Sequence, residues 1–291
     1  MDILQETNSQ IDRRQFLRIG GLAGVSLISM GLLAGCGGNA SGLNVGGGVT
    51  DADILNFALN LEYLEAEYYQ LGVFGTGLSA ADKGNSTAGV TGGRQVTFTT
   101  TSYQEFAQEV AEDELAHVRY LRSALGSAAV AEPMINFTAA FNAAAVAAGI
   151  GATFDPFADE VSFLIGAFVF EDVGVTAYHG GAPLISSKDY LSAAAGILGT
   201  EAYHAGTIRS TLYGIGGAAT DAAQKISDLR ASVGGGKDQG ILVGGKANIV
   251  PTDVNGLTFA RTTTEVLNIV YLNGTKTPGG FFPNGLNGTI R

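Results

Sequence analysis

Residues 111–118 read AEDELAHV and residues 199–206 read GTEAYHAG. Each stretch holds a Glu followed three residues later by a His: Glu114 with His117, and Glu201 with His204. The chain has only three His, the third being His179. Both pairs sit in segments that read as long helices, one from about Ser102 to Leu125 before Gly126, the other from Ser186 or Ser187 to about Tyr213 before Gly214. Residues i and i+3 share one helix face, so each pair points a carboxylate and an imidazole at one spot. Two further helices are predicted outward from these. Residues 53–71, DILNFALNLEYLEAEYYQL, place Ile54, Leu55, Ala58, Leu59, Leu61 and Leu64 at a helical period behind the capping types Thr50 and Asp51. The very apolar run from Pro156 to Tyr178 reads as one continuous helix. Residues 137–148, 220–233 and 258–272 add shorter helices, the second of them a surface helix, and a short strand is expected near RQVTFTT at 94–100. The pattern predicts an all-α fold: a four-helix bundle with Gly-rich loops and extra C-terminal helices.

The chain repeats one grammar twice. Glu62 and Glu171 lie on the first and third long helices, and each is followed seven residues on by a Tyr, Tyr69 and Tyr178. Two helical turns put each Tyr on the same face as its Glu. A Glu-x-x-His helix then follows in each half. The halves are offset by 109 residues at the first Glu and by 87 at the second; the long excursion at 72–100 makes the difference. Such a repeat predicts a site on a pseudo-twofold axis. Glu171 follows the apolar run Val161–Phe170, where an unpaired carboxylate costs several kcal/mol. No Lys or Arg occurs between Arg122 and Lys188, so a cation shared by four carboxylates and two imidazoles answers the charge of all six groups. The alternative is a pair of buried Glu–His hydrogen-bond networks without metal.

Other residues rank lower. Glu65, three residues after Glu62, reads as a neighbour of the ligands rather than a ligand. Tyr69 and Tyr178 read as packing residues with satisfied hydroxyls, and His179 as a helix-end residue beside the site. Asp113 is spaced to meet His117 at i+4, but the second half of the repeat selects Glu114. Asp172 points to another face than Glu171 and reads as structural. Gly234–Lys237 lacks the first Gly and the Ser or Thr of a phosphate loop.

Composition narrows the function classes. The 291 residues are 46% hydrophobic and 15% charged, with a formal net charge of −11, which excludes a nucleic-acid partner. A single Cys excludes a disulfide framework and any four-Cys iron site within one chain. That Cys is Cys36, at the end of Leu33-Ala34-Gly35-Cys36. Before it come the pair Arg13-Arg14 and an apolar stretch from Ile19 to Leu33, too short for a span of ~20 residues. Residues 1–35 therefore read as a twin-arginine, lipoprotein-type signal, with Cys36 acylated and the protein held at a membrane surface, periplasmic or cell-surface. Residues 36–50 read as a Gly-rich tether, 51–215 as the bundle, and 216–291 as an extension packed on it.

The paired Glu-x-x-His helices with a Glu on each of the other two resemble the ferritin-like superfamily over roughly 53–213. The closing segments FARTTTEVLNIVYL and GGFFPNGLNG resemble those of the desiccation-related ferritin-like proteins. The resemblance implies two Fe or Mn ions, with Fe slightly favoured: Glu62 and Glu171 as terminal ligands, Glu114 and Glu201 as bridges, His117 and His204 completing one sphere each. Mixed O/N ligation suits these metals better than Zn or Cu. The expected chemistry is redox work on peroxide or dioxygen. A chain without its own Cys-bound iron centre tilts toward catalase-like disproportionation or a small-molecule donor. Four Glu match the superfamily's iron oxidases and ferroxidases better than its manganese catalases. A stress-protective envelope protein with a structural or vestigial metal is the reading of another class. A mineral-storing cage is disfavoured by the tether and extension; other homo-oligomers stay open.

Overall fold

A computed structural model describes residues 48–291. The signal and acylation readings at Arg13, Arg14 and Cys36 lie outside the described residues. Helix α1 (Asp51–Phe74) starts at a capping box between Thr50 and Asp53 and stops at Gly75, which is left-handed at φ 71°. Helix α2 (Thr101–Leu125) packs along it. The fold is mostly helical, as predicted.

The expected helix from Pro156 to Tyr178 is instead two. Helix α4 (Glu160–Ala167) begins at the N-cap Asp159, and helix α5 (Glu171–Gly181) follows a break at Phe168–Phe170. There the ladder tightens to i→i+3 bonds, Val169 N–H to Gly166 O and Phe170 N–H to Ala167 O. The Phe168 carbonyl accepts from the buried Arg230 guanidinium, which also lies 4.5 Å over the Phe168 ring. A residue 62 positions downstream thus satisfies a carbonyl freed at the break, and Glu171 and Asp172 fall in the first turn of a new helix, where its dipole favours negative charge. The stretch Glu160–Leu184 is apolar and long enough to cross a membrane, but 83% of its apolar window is buried in the protein, as in a core helix.

Helix α6 (Lys188–Ile215), capped by Ser187, completes the bundle. Between α2 and α4 lies helix α3 (Phe137–Ala147), capped by Asn136. The strand expected at 94–100 is absent. The backbone there is engaged elsewhere: Val96 N–H bonds Gly72 O at 2.8 Å, and the Glu160 carboxylate takes the N–H and hydroxyl groups of both Thr99 and Thr100. Strand β1 (Val90–Thr91) instead pairs in parallel with β2 (Ile135–Asn136).

In the C-terminal region, helix α7 (Gly217–Val233) is less a surface helix than expected, since it buries Ala219, Ala222, Ala223, Ile226 and Arg230. A hairpin of β3 (Leu242–Val243) and β4 (Lys246–Ala247) turns on Gly244 and Gly245, both at positive φ. Helix α8 (Thr263–Val270) is shorter than the expected 258–272, because Thr262 and Glu265 form its capping box and the preceding chain runs extended across α5. There Arg261 N–H bonds Thr176 O, and a Cβ on Gly180 would stand 1.8 Å from Arg261 O, so only Gly admits this crossing. The last residues bury Phe281, Phe282 and Leu286. Asn287 exchanges hydrogen bonds with Asn60 of α1. Covered on all sides, α1 loses the polar face an amphipathic helix would keep: Asn60, Glu62, Glu65 and Glu67 are all buried.

Candidate metal centre

All six predicted ligands come together in the middle of the bundle. Glu62, on α1, and Glu171, at the start of α5, are fully buried, as are Glu114 on α2 and Glu201 on α6; His117 and His204 are nearly so. Their donor atoms fall into two groups, each with every member within 4.8 Å of the others: Glu62, Glu114, His117 and Glu201, and Glu114, Glu171 and His204. Glu114 belongs to both, the place a bridging carboxylate occupies; Glu201 belongs to the first only. His117 Nδ1 lies 3.2 Å from Glu62, 3.4 Å from Glu114 and 3.6 Å from Glu201. His204 Nδ1 lies 3.1 Å from Glu114 and 3.4 Å from Glu171.

These groups converge without satisfying one another. Both oxygens of Glu114, both of Glu201, Oε2 of Glu171 and Nδ1 of His204 are buried without an aligned hydrogen-bond partner. Each such atom costs about 1–3 kcal/mol, more when charged. Five unpartnered carboxylate oxygens and one imidazole nitrogen around one point are a donor set suited to a divalent metal, and the residues present therefore fit a metal site.

The electrostatics agree. Burial raises Glu62 to about 7 against the pull of His117. Burial also lifts Glu65 and Glu201 well above the usual range, each reinforced by the charge of Glu114, and it lifts Glu171 against His204. Glu114 goes the other way. Burial opposes its charge, but the rings of His117 and His204, 3.4 Å and 3.1 Å away, outweigh burial and hold it below the carboxylate range. The imidazoles resist burial in turn: the carboxylates of Glu62 and Glu114 draw His117 up to about 11, and those of Glu171 and Glu114 draw His204 up to about 12. Protons on the two rings are the only positive charge the cluster itself provides.

Around this centre the pseudo-twofold is realised differently from the expected one. Tyr69 and Tyr178 do not serve the Glu on their own helices. Tyr69 donates to Glu171, and Tyr178 donates to Glu62. Two turns separate each Tyr from its own Glu by about 10 Å, while α1 and α5 face each other antiparallel and bring each hydroxyl to the opposite half. Glu65 is buried beside the ligands, and Gly174 leaves space for the carboxylates: a Cβ there would meet Glu201 at 2.2 Å and Glu65 at 3.6 Å. His179 lies apart at the end of α5, its Nδ1 2.9 Å from Thr258 O.

Two contributions had no signal in local spacing. Asp113 reaches across to His204 of the other half, 3.1 Å from Nε2, where it orients the ring. Its counterpart in the repeat is Thr200, whose hydroxyl donates to Gly196 O instead. Asp172, the neighbour of Glu171, is held at 2.6 Å by Arg209 and 2.7 Å by Arg230. The bases missing near Glu171 in sequence are thus supplied from α6 and α7, but to Asp172.

Comparison with known proteins places this geometry. Residues 50–214 match the family model described as ferritin-like domain. A ferritin-like catalase, Nec2 of Nesocodon mauritianus, is 29% identical over 264 residues, covering 82% of this chain and 84% of that protein. The desiccation-related protein PCC13-62 of Craterostigma plantagineum is 30% identical over 267 residues, covering 82% and 83%.

Proposed function

The chain belongs to the ferritin-like domain family, together with the desiccation-related proteins, and from that premise we propose that it is a di-metal redox protein acting on hydrogen peroxide. Glu62 and Glu171 would hold one ion each from the outside, Glu114 would be shared, Glu201 would join the group of Glu62 and His117 rather than bridge as the resemblance implied, and His117 and His204 would complete one sphere apiece. Two Fe or Mn ions so held supply the capacity to exchange two electrons with a peroxide or with dioxygen. The carrying observation is the set of six unpartnered donor atoms in a buried core.

The chain's own residues prepare the chemistry. Tyr69 and Tyr178 fix the two outer carboxylates by hydrogen bonds to one oxygen of each, leaving the other oxygen inward. Asp113 orients His204 by accepting a hydrogen bond from Nε2–H. Disproportionation of two peroxide molecules to dioxygen and two waters needs no outside reductant, which suits a chain with one Cys. The name of the Nesocodon relative supports the same reading. Twin-arginine export and acylation at Cys36 would place this activity outside the cytoplasm at a membrane surface. The relative named for desiccation supports a second reading, a stress-protective protein whose metal is structural.

Elemental analysis with a peroxide-consumption assay on protein purified from its native host separates the two. About two Fe or Mn per chain, with dioxygen released from peroxide and both lost in Glu114→Ala, supports the redox reading. A protein that carries the metals and leaves peroxide untouched supports the structural one.

A further inference from the structure

Two small cavities share part of their lining, and one of them reaches Glu65 beside the carboxylate cluster. The outer one, about 30 Å³, sits among α3, α7 and α8 and opens where Ile150, Leu229 and Val233 are only half-buried. The inner one, about 20 Å³, is lined by buried residues including Leu61, Leu64 and Val173. Val169 and Ile269 line both cavities, so the two adjoin at this pair of side chains. At its far end the inner cavity is bounded by Glu65 and Gly174, and Gly174 is the residue against which the Glu201 carboxylate rests.

The walls select what can pass. Apart from Arg230, whose guanidinium is committed to Asp172, Asp238 and Phe168 O, every outer-cavity side chain is apolar. In the inner cavity the only polar side chain is Glu65. Apolar cavities of this kind stay dry and take up apolar gases rather than water or ions. The cluster also meets solvent through Asp113, which lines neither cavity and whose side chain is 43% exposed while it contacts His204. The centre therefore has one polar approach and one apolar one.

We propose that the two cavities form a conduit for dioxygen, gated by Val169 and Ile269 and ending at Glu65. This rests on the di-metal reading for its destination: dioxygen leaves by this path when peroxide is disproportionated, and enters by it when the reduced centre is oxidised. Peroxide and metal ions, both strongly hydrated, use the side of Asp113.

Crystals of the full protein pressurised with xenon test the path without any metal. Xenon is expected in both cavities, and in Ile269→Trp it is expected to disappear from the inner one. With protein loaded anaerobically with Fe(II), Ile269→Trp should slow oxidation by dissolved dioxygen about tenfold while leaving Fe(II) stoichiometry unchanged. Should that variant not fold, Ala144→Phe at the outer cavity carries the same two readouts. Xenon in neither cavity, or an unchanged oxidation rate in a folded, loaded variant, overturns the conduit alone. Protein that takes up xenon in both cavities but no metal overturns the di-metal reading and removes the destination of the path.

Discussion

Glu171 and Asp172 are neighbours in the chain, both buried, and belong to opposite kinds of charged interior. Asp172 enters a network with Arg209, Arg230, Arg261 and Asp238, in which every carboxylate meets a guanidinium at 2.6–2.9 Å. Glu171 enters a cluster whose members are nearly all of one sign and whose oxygens are largely unpartnered. The first region sets three guanidinium groups against two carboxylates, so it holds no excess negative charge for a cation to neutralise. The second is balanced only by protons on two imidazoles, the places where cations would stand. Burial alone does not mark a metal centre; burial without internal compensation does.

The sharpest way to break this contrast is to remove a charge from the balanced region. Asp172→Ala strands Arg209 and Arg230 in the core and should cost about 3–5 kcal/mol of stability, with or without metal, in urea denaturation. Removing a charge from the other region should do the reverse. Burial and the charge of Glu114 both disfavour the Glu201 carboxylate, so Glu201→Gln relieves like-charge crowding and the metal-free protein should melt no lower than the parent by calorimetry. The parent alone should gain stability on adding Fe(II) or Mn(II), about 4 kcal/mol at a thousandfold excess over Kd. Asp113→Asn tests the inequivalence of the halves: it should weaken metal affinity about tenfold by titration calorimetry, whereas Thr200→Ala leaves affinity unchanged.

A smaller test lies in a third buried pair, Glu67 with Glu132. The oxygens of Glu132 and Oε2 of Glu67 have no hydrogen-bond partner, and burial, reinforced by the charge of Glu67, raises Glu132 to about 9. Burial raises Glu67 as well, while Lys83 pulls the other way on both. A carboxyl whose folded value lies above its unfolded one holds its proton in the fold and releases it on unfolding. Its contribution is therefore present at low pH and lost as pH rises from about 4.5 to about 9. Glu132→Gln should raise Tm by a few degrees at pH 8 and by less at pH 5 in a melting series.

What could be read from the chain alone follows from the range of the interactions. Glu114 with His117 and Glu201 with His204 are visible because three residues on a helix is a local rule, and the repeat supplied Glu62 and Glu171. The all-α class followed from periodicity. The exchange of Tyr69 and Tyr178 between halves was invisible, because spacing describes one helix and the hydrogen bonds cross between two. A carbonyl freed at the Phe168–Phe170 break is satisfied by the distant Arg230, and the full burial of α1 depends on a tail more than two hundred residues away. The strand expected at 94–100 failed because β-branched residues there serve Glu160 rather than a neighbouring strand.

The central claim is that Glu62, Glu114, His117, Glu171, Glu201 and His204 jointly hold two cations. Anomalous diffraction at the Fe and Mn absorption edges, from crystals of protein purified from its native host, tests this most directly. Two peaks about 3.5–4 Å apart are expected, one bounded by Glu62 and His117, the other by Glu171 and His204, with Glu114 between. Metal bound elsewhere, or no peak and the six side chains hydrogen-bonded to one another, would contradict it.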